Sequence, residues 1–138
     1  TATEQDDMNA DIIMVHDGAR PIVTPQIIAE LSEACMQHVG AIPAITINDS
    51  LRHLTPDGMS VPVNRSEYRA VQTPQAFRSN ILRKAYQQPY QPSFTDDASV
   101  VAAAGYTDVV LTNGDSRNIK ITLPGDIEIV DIYMRTLQ

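Results

Sequence analysis

Four consecutive apolar residues, Ile12-Ile13-Met14-Val15, run directly into His16-Asp17-Gly18-Ala19-Arg20-Pro21, and no other segment constrains this chain so tightly. A continuous apolar run this short, closed by Gly and Pro, reads as a buried parallel strand. In open α/β sheets the carboxyl ends of the strands line the ligand crevice. Asp17 and Arg20 would stand at that end, where an acid and a guanidinium can hold a metal-bound or phosphorylated ligand. Taken alone, the same pattern also describes a strand-end salt bridge.

The chain has 138 residues, enough for one domain with its own core. Its net charge of −7, with only ten Lys and Arg, argues against nucleic-acid binding through a basic surface. The single cysteine, Cys35, excludes an intramolecular disulfide and fits a reducing cytoplasm. It falls inside a predicted helix, where a small buried hydrophobe is expected rather than a nucleophile. No apolar run approaches the ~20 residues that span a bilayer, and the N-terminus lacks a signal-peptide pattern. A cytoplasmic protein with no membrane partner is therefore expected.

Residues 1–10 are polar and read as a loop or a loose helix. Thr24-Pro25 starts a helix, with Thr as N-cap and Pro in the first turn. Ile27, Ile28, Leu31, Ala34, Cys35 and Val39 follow at helical spacing, and Gly40 is predicted to stop it. Residues 41–47 read as a second strand, so the order strand–helix–strand predicts a right-handed crossover in a parallel sheet. Residues 51–55 and 59–63 flank the turn signal Pro56-Asp57-Gly58 and predict a hairpin. That hairpin has little apolar material to bury. It reads as an arm, at about residues 48–66, that needs a partner because an isolated hairpin is marginal in water. Further helices are predicted over 79–88, over 96–104 with Thr95 as N-cap, and over 124–137. A short strand is predicted over 109–111, and 118–122 is strand-like.

Four polar clusters fall at element junctions: Asp17 with Arg20; Asn64-Arg65 followed by Val71-Gln72-Thr73-Pro74-Gln75; Thr95-Asp96-Asp97-Ala98-Ser99; and Gly114 through Thr122. A helix N-terminus is a natural anion site, yet carboxylates there are also ordinary dipole compensation. Lys120, in an otherwise apolar run, is either an edge residue or a charge aimed at a phosphate. Pro74 pushes Thr73 out of the helical region. No pair of the three histidines has zinc-site spacing, and no G-x-S-x-G elbow is present. Charge placement with magnesium remains as the route to catalysis, as in phosphoryl-type transfers.

Together the clusters resemble the sugar- and polyol-phosphate cytidylyltransferases, most closely the 2-C-methyl-D-erythritol 4-phosphate cytidylyltransferases. The resemblance rests on Val15-His-Asp-Gly-Ala-Arg-Pro21, Asn64-Arg65 with Val71-Gln-Thr-Pro-Gln-Ala-Phe77, Thr95-Asp-Asp-Ala-Ser99, and Asn118-Ile-Lys-Ile-Thr122 before Pro124-Gly-Asp126. It implies an α/β, Rossmann-like nucleotidyltransferase fold with a parallel-rich sheet and a protruding β-hairpin arm. It also implies a departure. Family members begin with a strand and a glycine-rich loop over the CTP triphosphate, whereas this chain has six glycines and no G-x-G cluster before a helix. The 138 residues therefore read as a partial domain, the C-terminal part of such an enzyme. Arg117 stands where family members often have Asp, which leaves an acidic role there open.

The resemblance implies a reaction in which the phosphate of methylerythritol phosphate attacks the α-phosphorus of CTP and pyrophosphate leaves, in isoprenoid precursor synthesis. Asp17 would sit near Mg²⁺ and the polyol phosphate, with Lys120 as its catalytic companion, and Arg20 would contact the substrate or brace the loop. Thr73 and Lys120 would meet the substrate phosphate and the α-phosphate of CTP, and Thr95 would line the pocket. Ser50 and Arg65 would bind the polyol phosphate in a partner subunit's site, through an arm swapped across a homodimer. A ribitol 5-phosphate cytidylyltransferase remains an alternative, as does a non-catalytic polyol-phosphate-binding or dimerisation module.

Overall fold

The computed structural model describes residues 11–137, so the loop or loose helix expected over residues 1–10 lies outside the described residues. In chain order the elements are β1 (Ile12–Val15), α1 (Pro25–Cys35), β2 (Gly40–Thr46), β3 (Arg52–Leu54), β4 (Ser60–Pro62), a 3-10 turn (Arg65–Glu67), β5 (Arg69–Val71), β6 (Gln75–Arg78), α2 (Ser79–Ala85), α3 (Asp97–Ala103), β7 (Val109–Asn113) and α4 (Pro124–Thr136).

Five strands form one mixed sheet in the order β1–β6–β2, with β5 also on β2 and β7 parallel to it. β1 and β2 are each antiparallel to β6. Hence β1, β2 and β7 run the same way, yet three of the four pairings are antiparallel, so the sheet is mixed. Strand β1, read from the sequence as a buried parallel strand, is half-buried and, among the described residues, pairs only with the antiparallel β6. The crossover from β1 through α1 to β2, however, skips one position, which β6 fills in the opposite sense. β5 and β6 are not legible as strands in the sequence. Arg69-Ala70-Val71 is exposed and Gln75-Ala76-Phe77 is buried without alternation. Their pairing partners define them: Ala44–Thr46 of β2 for β5, and both β1 and β2 for β6.

Successive strand side chains point to opposite faces, and the core divides accordingly. Ala41 and Ala76 pack with Ile27, Leu31 and Cys35 of α1 on one face. Ile42 and Phe77 pack with Leu82 and Ala85 of α2 and Val100 and Val101 of α3 on the other. Helices thus cover both faces of the sheet.

Several expected boundaries move, each for a local reason. The side chain of Thr24 accepts from Ile27 N at 3.3 Å, as expected of the N-cap. But α1 ends at Cys35 and not near Gly40. There the Arg78 guanidinium takes up the carbonyls of Cys35, Met36 and His38 at 3.1–3.2 Å. Gly40 is instead the first residue of β2. A Cβ there would lie 2.4 Å from Phe77 Cδ1, so the glycine admits the Phe77 ring to the sheet. The N-cap of α3 is Asp96, not Thr95, because Asp96 and Ser99 form a reciprocal capping box. The strand-like segment 118–122 is not a strand; its Ile121 N–H donates to the Ala19 carbonyl at 2.8 Å.

The arm is formed as expected. β3 and β4 pair antiparallel, and Gly58 supplies the positive φ of 83° in the turn. Its apolar side chains stay in solvent, Leu54 at 76% and Met59 at 67% exposure. At α4, the Asp126 carboxylate accepts the Thr122 and Leu123 N–H groups at 2.9 Å, which holds it below the usual carboxylate range. No helix among the described residues is long and apolar enough to cross a membrane.

Candidate functional site

The carboxyl end of β1 opens onto a cleft of about 390 Å³. Its wall holds Asp17 and Arg20 from the turn after β1, Gln72 and Thr73 from the break between β5 and β6, Thr95, Asp96 and Asp97 from the start of α3, and Lys120. All four polar clusters thus contribute to one place, although Asp17 and Lys120 lie at opposite ends of the chain. Asn64 and Arg65 of the second cluster stay outside it, and of the fourth cluster Lys120 is the residue that lines it.

The charges are ordered around Asp17. Its Oδ2 lies 3.3 Å from Arg20 Nε and 3.5 Å from Lys120 Nζ. Arg20 also donates through Nη1 to the Asn118 carbonyl at 2.7 Å, so its guanidinium is pinned from two sides. Lys120 is half exposed and is the cation presented most openly to the cleft. The Asp17 N–H donates to Thr73 Oγ1 at 2.9 Å, and the same hydroxyl lies 2.9 Å from His16 Nδ1. His16 Nε2 in turn lies 2.8 Å from the Arg20 carbonyl.

Beneath these groups runs a layer of buried amides that sequence reasoning misses. Gln75, 1% exposed, donates through Nε2 to Asp96 Oδ2 and accepts from Ala98 N, both at 3.0 Å. It ties β6 to the first turn of α3. Gln72 donates to the Asp115 carbonyl at 2.8 Å and accepts the Asp115 N–H at 3.1 Å. Asn118, fully buried, donates to the Thr73 carbonyl at 2.8 Å. Through these amides the 72–75 segment is tied to the start of α3, next to Thr95, and to the 115–118 turn that leads to Lys120. Asp17 reaches the same segment through Thr73. Of the amide atoms, Asn118 Oδ1 is buried without a hydrogen-bond partner. The one available signal is the pattern itself: amides at 72, 75 and 118 inside the motifs.

Next to the cleft, Arg117 grips Asp115 with a 2.6 Å ion pair and holds its carboxyl below the usual range. Arg117 therefore serves the 114–118 turn. Tyr86, outside the cleft lining, donates its hydroxyl to Asp97 at the start of α3. Desolvation and that carboxylate push its phenol up to about 12.

Ser50 and Arg65 do not line the cleft. Both are exposed at the base of the arm, where the Arg65 guanidinium donates to the Asn48 carbonyl. Among the described residues no group of three His, Cys, Asp or Glu could by itself hold a metal ion. Mg²⁺ commonly takes one or two carboxylates and fills its shell with water and substrate phosphate. The Asp17 carboxylate, a hard oxygen ligand on the wall of an open polar cleft, fits that pattern of binding.

A sequence model described as IspD, 2-C-methyl-D-erythritol 4-phosphate cytidylyltransferase, matches residues 1–136. The chain is 48% identical over 118 residues to the 2-C-methyl-D-erythritol 4-phosphate cytidylyltransferase of Bacteroides thetaiotaomicron, covering 86% of this chain and 53% of the relative. To that of Phocaeicola vulgatus it is 46% identical over 123 residues, covering 89% and 55%. The crystal structure of the Thermus thermophilus cytidylyltransferase superposes with a TM-score of 0.76 at 32% identity, over 91% of this chain and 62% of that one. The bifunctional IspDF of Campylobacter jejuni gives 0.73 at 26%, over 92% and 33%. The chain thus spans about half the length of the curated relatives it matches. Its α/β sheet is the Rossmann-like sheet of those nucleotidyltransferases, and the chain belongs to the 2-C-methyl-D-erythritol 4-phosphate cytidylyltransferase family.

Proposed function

We propose that this chain forms the polyol-phosphate and cation side of a CTP-dependent cytidylyltransferase acting on 2-C-methyl-D-erythritol 4-phosphate. The supporting observation is the convergence of Asp17, Arg20 and Lys120 opposite Thr95 in one polar cleft. On this reading the CTP triphosphate and the cytosine would be held by a glycine-rich portion of the kind the family resemblance implies.

The substrate's phosphate oxygen attacks the α-phosphorus of CTP, and the bond to the pyrophosphate oxygen breaks. A phosphate monoester is already ionised near neutral pH, so no general base is required. The obstacle is repulsion between two anions, and preorganised positive charge offsets it. Lys120 supplies charge at the α-phosphate. Arg20, pinned by Asp17 and the Asn118 carbonyl, orients the turn toward the substrate, and Thr73 braces that turn. Thr95 lines the polyol side. Asp17 would hold Mg²⁺, which when bound neutralises phosphate charge.

Ser50 and Arg65 act in trans. They lie outside the cleft of their own chain, on an arm that buries nothing, so the reading includes a homodimer in which each arm completes the neighbouring site.

The test is pyrophosphate release from CTP with methylerythritol phosphate and with ribitol 5-phosphate, in parallel. The complete enzyme should turn over the first much faster, and the 138-residue chain alone should show negligible turnover. Preference for ribitol 5-phosphate would reassign the substrate. Robust release by the 138-residue chain alone would refute the division of labour.

A further inference from the structure

We propose that His16 is a positioning residue, which clamps the turn that presents Asp17 and Arg20 by binding the Thr73 hydroxyl and the Arg20 carbonyl at once. The turn itself is closed by one backbone bond, Arg20 N to Asp17 O at 3.0 Å. A single such bond leaves a short, partly exposed turn free to open. The imidazole spans it, with one nitrogen 2.8 Å from the carbonyl at its far end and the other 2.9 Å from Thr73 Oγ1 at its near end.

Donor counting fixes how the clamp is wired. A carbonyl oxygen only accepts, so Nε2 carries a proton and donates to Arg20. Thr73 Oγ1 already accepts the Asp17 N–H at 2.9 Å. In the neutral ring Nδ1 is an acceptor, so the single hydroxyl proton of Thr73 goes to it. The chain of bonds then runs from the Asp17 amide through Thr73 and His16 to the Arg20 carbonyl, and its ends are the two residues that face the substrate. Thr73 therefore acts on the substrate mainly through the turn it holds. The clamp is backed from the far side by Ile121 N donating to Ala19 O at 2.8 Å.

This inference rests on the cytidylyltransferase reading for its kinetic consequence, but its structural content can be tested separately. In the complete enzyme we would compare His16→Phe, which keeps a flat ring without polar atoms, with His16→Asn and His16→Gln. An Asn amide can stand in for Nδ1 toward Thr73, and a Gln amide for Nε2 toward Arg20. Misplacing positioned groups by about an ångström can cost ~10²-fold in rate. His16→Phe should lower kcat/KM for the polyol phosphate by roughly that factor, with KM for CTP little changed, and His16→Asn and His16→Gln should each restore part of the loss. Thr73→Val should give the same loss, and the double variant His16→Phe, Thr73→Val should be no worse than either single one. Amide hydrogen exchange supplies the readout that needs no activity: the Asp17 N–H should exchange at least about tenfold faster in His16→Phe and in Thr73→Val. Additive losses in the double variant, or an Asp17 amide as protected in His16→Phe as in the parent, would overturn the clamp. If His16→Phe does not fold, the Asp17 exchange rates of His16→Asn and Thr73→Val decide it. If the parent enzyme fails to use methylerythritol phosphate, the functional reading falls while the exchange result still judges the clamp.

Discussion

The cleft wall and the hairpin arm both carry residues assigned to the substrate, yet they are built in opposite ways. The wall is over-determined. Asp17, Arg20 and Lys120 stand on segments cross-linked by three buried amides, by the His16–Thr73 bond and by backbone contacts between distant loops. Among the described residues the arm is held by its own ladder and turn and by bonds such as those from Arg52 to Ser60 within it, with Leu54 and Met59 in solvent. Buried, cross-linked polar networks rigidify the geometry they share, whereas an isolated two-stranded hairpin does not persist unaided. Charge stabilisation at the α-phosphorus demands the first kind of construction. A contact delivered to a neighbouring subunit can arise from the second, because docking itself supplies the order.

The sharpest way to break this contrast is at Lys120. If it is a preorganised electrostatic group, Lys120→Ala in the complete enzyme should lower kcat by roughly 10²–10³-fold, with smaller changes in either KM. A change confined to KM would reduce it to a binding residue. The arm should behave differently. Arg65→Ala should raise KM for the polyol phosphate by about tenfold or more and leave KM for CTP nearly unchanged. Arg65→Lys should recover little, because the planar fork is lost. Mixing Arg65→Ala with Lys120→Ala subunits should restore some activity, since one site of a mixed dimer would carry neither lesion. Inactive mixed dimers, with exchange confirmed, would mean that one subunit supplies both residues to its own site, and would overturn the swapped arm.

Folding stability offers a finer test. Gln75→Leu removes an amide whose two partners, Asp96 Oδ2 and Ala98 N, belong to the start of α3. Leaving buried polar groups unpaired costs about 1–3 kcal/mol, and urea unfolding should show that loss. Arg52→Ala breaks two bonds to Ser60 on the exposed arm and should stay within about 0.5 kcal/mol. Equal losses at the two positions would mean that the arm is as well packed as the wall.

The same difference governs which parts of the molecule are legible in the amino-acid sequence. The arm is legible because its information is local: Pro56-Asp57-Gly58 between two short runs specifies a turn and its flanks. So are β1, α1 and the positions of Asp17, Arg20, Thr95 and Lys120, each set by motif and junction. The order of the sheet is not, because β5 and β6 lack a strand pattern of their own and depend on β2. Gly40 shows the same limit. Next to a helical run it resembles a stop, whereas Phe77, 37 positions later, is what requires it. The amides of Gln72, Gln75 and Asn118 stay hidden because an amide looks like a surface residue until its partner, 21 to 46 positions away, is known.

The smallest expected effect lies in the arm and concerns the body it leaves. Residues 52–60 contribute no side chain to either core cluster, so deleting them removes almost no buried apolar area from the fold. In the low-concentration limit, where only monomers remain, the unfolding free energies of the complete enzyme and of its arm-deleted form should agree within about 0.5 kcal/mol. Their concentration dependence should differ. A dimer that binds only the folded state gains stability by mass action, so the parent's melting temperature should rise with protein concentration. The deleted form should melt at one temperature throughout and run as a monomer in light scattering. A deleted form that still melts higher as it is concentrated would locate the dimer contact elsewhere. A large loss in the monomer limit would instead show that the arm is part of the body after all.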